Sequence, residues 1–294
     1  MSSSLSKSAS LLRVTVAYVI AVAAGLAWLV WGPDSGHLWL DALIADVLAT
    51  VVIFGFSRAY GNSSFYDAYW SVIPPLIVLY WWVETGAEGT RAWLLMAVVM
   101  LWAVRLTGNW VYGWPGLHHE DWRYPMLRDG AGRWELPVDF FAIHLVPTLQ
   151  VFLATVPAYV VVTHTDRGIG VVDAIAVLVG VGAVTLEYFA DLQMHRFVRE
   201  RQPGQVMDRG LWSWSRHPNY FGEISFWFSL ALFGLAASPT DWWVLAGTVA
   251  MVAMFLGASI PMMETRSLER RPQYQDVVDR VSMLVPRPPR RARA

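Results

Sequence analysis

The stretch SRHPNYFGE, residues 215–223, sets Arg216, His217, Asn219, Tyr220 and Glu223 against the start of a long apolar run. Pro218 suits the first turn of a helix, and a residue before proline is biased toward extended backbone, so a helix is expected to begin near Asn219. A helix start carries free N–H groups and a positive dipole, which favour an anion such as a phosphate. Arg216 adds a planar cation suited to phosphate. Asn219 and Glu223, one turn apart, can hydrogen-bond an amide or a ribose. The plain alternative is an interfacial cap with solvated side chains, but a cap needs one polar residue and not five.

Four further clusters have residue types that do chemistry. Glu187 and Asp191 are spaced to share one face of a helix at a membrane boundary, followed by Arg196, Arg199 and Arg201. They form either a salt-bridge ladder or the floor of a polar pocket. HHEDWRYPMLR offers Asp121, Arg123 and Tyr124 as cofactor contacts. It lacks the spacing of a metal site, and no metal is expected. ETRSLERR places Arg266 and Arg270 four apart, either as a clamp for nucleotide phosphates or as a solvated amphipathic helix. NSSFYDAYW puts Tyr66 beside Asp67, a candidate proton donor with its orienter, or else an interfacial aromatic anchor. Arg105, inside an apolar run, needs a partner, for which Asp67 is a candidate.

The elements that position these groups are membrane helices. The 294 residues are 55% hydrophobic and 15% charged, far below the charge of a soluble domain, and 17 are tryptophan. With no cysteine, disulfides, thiolate catalysis and cysteine-ligated metals are excluded. Eight apolar segments approach the length of a bilayer crossing: about 11–31, 38–57, 69–83, 91–112, 138–162, 169–190, 224–237 and 241–261. The third and seventh are short, which leaves seven as the alternative, and Pro74–Pro75 kinks the third. The fold class is therefore an all-α integral membrane bundle of about eight helices with cytoplasmic cofactor-binding loops. With the N-terminus inside, 19 of the 22 Lys and Arg residues fall on the cytoplasmic side. Both termini are then cytoplasmic, with the basic tail PRPPRRARA a disordered anchor for lipid headgroups. GIGVV and GVGAV only mimic a dinucleotide fingerprint, since no strand precedes them.

The half from about Val138 to Pro286 resembles the steroid 5-alpha-reductase C-terminal family, in particular its bacterial DUF1295 branch, through EYFADLQMHRFVRERQPG, SRHPNYFGEISFW and ERRPQYQDVVDRVSMLVP. In that family an Asn-x3-Asp helix, an Arg-Pro-Gly segment and an Asn-Tyr-x-Gly-Glu helix start hold NADPH. Here Glu187 stands for the Asn and Asp191 matches the Asp. Arg199 lies near the Arg, and Asn219, Tyr220, Gly222 and Glu223 match. The resemblance implies residues 1–137 as substrate-cavity helices and 138–294 as the cofactor region. It further implies an NADPH-dependent oxidoreductase of the inner membrane, reducing a C=C bond conjugated to a carbonyl in a steroid-like or other lipid. The expected partners are that substrate and membrane lipids, with no nucleic acid. An Arg-His-Pro-x-Tyr-x-Gly motif also occurs in isoprenylcysteine carboxyl methyltransferases, so a methyltransferase using S-adenosylmethionine is the alternative. A non-enzymatic lipid-binding protein is the third.

Overall fold

The computed structural model describes residues 5–289. The last five residues of the basic tail lie outside these. The chain forms two compact units, Met1–Thr165 and Asp166–Ala294.

In the first unit, α1 (Lys7–Trp31) starts at Ser6, whose hydroxyl accepts from the Ala9 N–H. It packs along α2 (Leu38–Tyr60), where Gly25 meets the Ala45 carbonyl so closely that an added Cβ would sit 3.2 Å from the oxygen. Gly61, left-handed at φ 60°, stops α2 and turns the chain through a short 3-10 turn, Ser63–Tyr66. α3 (Tyr69–Thr85) and α4 (Thr90–Gly113) follow. Pro74 and Pro75 lack N–H groups, so within α3 the carbonyls of Trp70 and Ser71 lose their usual partners. A nearly continuous helix then runs through α5 (Arg123–Ala131), α6 (Glu135–Val138), a π-helical turn (Asp139–Leu145) and α7 (Val146–Thr163). α7, which the sequence reading groups with the second region, packs on α2, α3 and α4 in the first unit.

In the second unit, α8 (Val171–Glu200) and α9 (Pro218–Ala237) pack against each other. α10 (Ala246–Met254), a π turn (Phe255–Ser259) and α11 (Ile260–Arg270) make one long element, followed by the short α12 (Tyr274–Arg280). Across the described residues, seven helical stretches are long and apolar enough to cross a membrane. α3, at 17 residues, is short as expected from sequence, whereas the seventh segment, also expected short at 224–237, is the 20-residue α9, because the helix already begins at Pro218. The fold is thus the expected all-helical membrane bundle of seven to eight helices.

Gly222 is what allows α8 and α9 to close together. A Cβ there would lie 2.4 Å from Glu187 Cγ and 3.1 Å from the Ala183 carbonyl oxygen. Gly222→Ala is expected to cost about 1–3 kcal/mol by overpacking. A thermal-unfolding curve of the detergent-solubilised variant checks this, and an unchanged midpoint would count against the packing.

Candidate functional site

The first unit contains a buried ring of hydroxyls around one carboxylate. Asp46 lies on α2, in the middle of an apolar crossing, and is 5% exposed. The Tyr69 hydroxyl at the start of α3 donates to Asp46 Oδ1 at 2.8 Å. Thr50, one turn after Asp46, lies 3.3 Å from the Tyr69 hydroxyl and 2.9 Å from Thr148 Oγ1 on α7. Tyr66 completes the set, its hydroxyl 2.8 Å from Thr148. Proton bookkeeping fixes the directions. Thr148 has one hydroxyl proton and gives it to the His144 carbonyl at 2.9 Å. Thr148 therefore accepts from Tyr66, and the Tyr66 proton is committed. A cavity of about 10 Å³, the size of one water, opens beside Asp46, Tyr66, Tyr69 and Thr148.

The π turn explains how α7 reaches this ring. A wider turn brings Asp139, His144 and Thr148 onto one inward face, a common use of π-bulges. His144 Nδ1 lies 2.8 Å from the Asp139 carbonyl, which can only accept, so in the neutral ring Nε2 accepts from Ser57 at 3.0 Å. Asp139, 1% exposed, is held by Arg58 at 2.9 Å and by the Ser63 hydroxyl at 2.8 Å. Arg128 bonds Ser63 and Glu120, and Glu120 accepts the Ser63 N–H. Beside α1, an apolar groove of about 580 Å³ is lined by Tyr18, Val22, Leu26, Val72, Thr107 and Trp110 among others. The Tyr18 ring stands edge-on to Tyr69 at 6.1 Å between centroids.

The expected Tyr66–Asp67 pair is corrected by these contacts. Asp67 accepts from the Tyr124 hydroxyl at 2.7 Å and the Trp110 indole at 3.4 Å, so it orients neither Tyr66 nor its proton. Tyr124 is accordingly tied to Asp67. Asp121 and Arg123 close on each other in a two-pronged pair at 2.9 and 3.0 Å. Burial works to raise the Asp121 carboxyl, but the Arg123 bonds win and hold it below its ordinary value. Arg105 is half-buried in α4.

In the second unit the start of α9 gathers most of its expected residues. Glu187 and Glu223 are buried, Glu187 against Gly222, and Glu223 accepts the Trp227 indole N–H at 2.9 Å. Asp191 and Tyr220 are half-buried, and Tyr220 stacks on the His217 ring at 5.4 Å. Asn219 Oδ1 is buried and has no partner among the described residues. Arg216 differs most from its expected role. Its guanidinium grips Glu264 of α11 at 2.6 and 3.2 Å and the carbonyls of Val278 and Val281 at 3.0 and 2.6 Å. His217 Nε2 joins the same carboxylate at 3.0 Å. Arg216 is thus a clamp on α11 and α12, with four of its five N–H donors engaged there. Arg266 is half-buried, while Arg199 and Arg270 are exposed; Arg199 Nε reaches the His195 carbonyl at 3.4 Å.

Asp46, Thr50, Thr148 and His144 are residues of this arrangement that sequence reasoning passed over, while Tyr69 and Glu264 lie in stretches it singled out, Tyr69 at the entry to the third span and Glu264 as a pairing partner for its neighbours. For Asp46 the signal was present: a carboxylate in the middle of an apolar crossing. Thr50, four residues on, lies on the same helix face.

Fold and site together define a multi-pass helical membrane protein with a buried acid–hydroxyl ring in one unit and a polar helix start in the other. The chain belongs to the family described as "Protein of unknown function (DUF1295)", whose model matches residues 53–281. It is also similar to the uncharacterized protein C594.04c of Schizosaccharomyces pombe, 28% identical over 272 residues, covering 83% of this chain and 78% of the yeast protein. No solved structure matches.

Burial pushes the Asp67 carboxyl up to about 6, with the Tyr124 bond opposing. A raised carboxyl binds its proton more tightly in the folded chain, so stability falls as pH rises from about 4 to about 6 and is flat above. Melting temperatures of wild type and Asp67→Asn across this window check the sign: the fall should be steeper in wild type than in the variant.

Proposed function

We propose that this protein is an NADPH-dependent reductase of a C=C bond conjugated to a carbonyl in a steroid-like or other lipid, in the inner membrane with both termini cytoplasmic. The observation that carries the reading is the Tyr69 hydroxyl, 2.8 Å from a carboxylate buried within an apolar crossing and opening on a cavity of single-oxygen size. Buried acids in membrane helices are costly and serve function by default. With Asp46 protonated, its proton bonds the Tyr69 oxygen and frees the Tyr69 proton for a ligand oxygen in the cavity. As negative charge develops on a substrate carbonyl, Tyr69 passes its proton to that oxygen and takes the Asp46 proton in turn. Tyr66 and Thr148 hold the ring in register, with the Tyr66 proton turned away. Water exclusion by the surrounding helices strengthens each of these bonds.

The residues at the α9 start fit a nucleotide in part. Asn219 Oδ1 is an acceptor without a donor among the described residues, suited to an amide N–H or a ribose hydroxyl. Glu223, Tyr220, Glu187 and Asp191 form its surroundings on α9 and α8. Arg199, Arg266 and Arg270 are the cations proposed for phosphates, in place of Arg216. When bound, NADPH supplies the hydride that adds to the β-carbon. The apolar groove beside α1 supports a lipid substrate, since its lining carries no charged side chain.

Two measurements test the reading. NADPH should raise the melting temperature of wild type but not of Asn219→Ala with Glu223→Ala. Stabilisation by S-adenosylmethionine instead would favour the methyltransferase alternative, and none by either the non-enzymatic one. With a 4-ene-3-one steroid as probe, Tyr69→Phe and Asp46→Asn are expected to lower turnover about 10²-fold or more while keeping the NADPH shift. Full turnover in both variants would remove the proposed donor.

A further inference from the structure

The chain after α12 folds back along the segment that leads into α9. The Arg216 N–H donates to the Ser282 carbonyl at 2.8 Å, and the Arg287 N–H to the Trp214 carbonyl at 2.9 Å. The Ser215 hydroxyl caps the Leu284 carbonyl at 2.7 Å. This strap, residues 281–287, is therefore fixed to residues 214–216, immediately before the membrane-crossing stretch Pro218–Ala237.

Its side chains sort by direction. Val281 faces in and is 3% exposed, whereas Met283 and Val285 face out at 39% and 46%, beside Trp214 at 48%. Three exposed apolar side chains on an irregular segment have no use in water, but a tryptophan with flanking aliphatic groups suits the headgroup layer. In the same unit Arg201, Arg209 and Arg287 are exposed, and none makes an ion pair among the described residues. Arg271 adds to this positive ground: burial first, and then the nearby Arg201 and Arg270, hold its guanidinium below its ordinary value. Exposed cations next to an apolar wedge match a surface that is both anionic and oily.

We propose that the strap and the arginines around it are a docking surface for anionic phospholipid, with Trp214, Met283 and Val285 inserted among the headgroups and the arginines on the phosphates. The proposal is independent of the reductase reading. Its role is to hold the C-terminal strap, and with it the Arg216–Glu264 clamp, against the membrane.

The test uses the full chain in lipid nanodiscs of phosphatidylcholine with brominated phosphatidylglycerol or brominated phosphatidylcholine. The Trp214 signal is taken as wild type minus Trp214→Phe. Quenching by the brominated anionic lipid should exceed that by the neutral one about twofold, and the excess should vanish at high salt. Arg209→Gln and Arg287→Gln should each weaken retention of phosphatidylglycerol roughly fivefold. Should either variant fail to fold, the salt titration on wild type decides alone. Equal quenching by the two lipids, no quenching, or an excess that survives high salt would overturn the proposal.

Discussion

A polar group inside a bilayer has no water to turn to, so it must find its partner within the protein. The ring around Asp46 is the response of this chain to that constraint, and much of the first unit is arranged around it. Asp46 and Thr50 come from α2, Tyr66 from the turn after it, Tyr69 from the first residue of α3, and Thr148 from α7. Three crossings must therefore lie in one register for every hydroxyl to be satisfied. The π turn before α7 serves the same end, because an ordinary helix would not bring Asp139, His144 and Thr148 to one inward face. Arg58, Arg128, Glu120, Glu135 and Asp139 then close the polar end of the unit as one charge network.

The second unit follows a different rule. Its polar residues cluster where α9 begins, and they divide between structure and free capacity. Arg216 and His217 converge on Glu264, and Arg216 also collects the carbonyls at the end of α12, which would otherwise be orphaned. Burial, followed by the negative Glu264 nearby, pushes the Tyr274 hydroxyl up to about 12, so it stays protonated within this knot. Asn219, in the first turn of the helix, keeps a buried oxygen with no partner among the described residues. A helix start that uses its cation internally and leaves an amide oxygen open is suited to a ligand with N–H or O–H donors.

The crossings were legible because their apolar length exceeds anything a soluble core requires, and the short α3 was legible as short. The polar start of α9 was legible too, from Pro218 and the density of side chains around it. What the sequence could not supply was pairing. Arg216 reads as a free phosphate ligand until Glu264, 48 positions later, is seen beside it. Tyr66 and Asp67 are neighbours in sequence and face different partners, because the 3-10 turn sends consecutive side chains apart. The π turn left no mark on the hydrophobic pattern, and with it the positions of His144 and Thr148 were hidden. Asp46 was readable as an acid in the middle of a span, but its importance depended on Tyr69, 23 residues away.

On this account Asp46 is a carboxylic acid kept for its proton, with the hydroxyls around it setting where that proton goes. The most direct measurement is an infrared difference spectrum of wild type against Asp46→Asn at neutral pH. The account predicts the carbonyl stretch of a buried protonated carboxyl in wild type, absent from the variant and shifted when an enone ligand enters the cavity. An ionised Asp46 whose spectrum is indifferent to that ligand would contradict it.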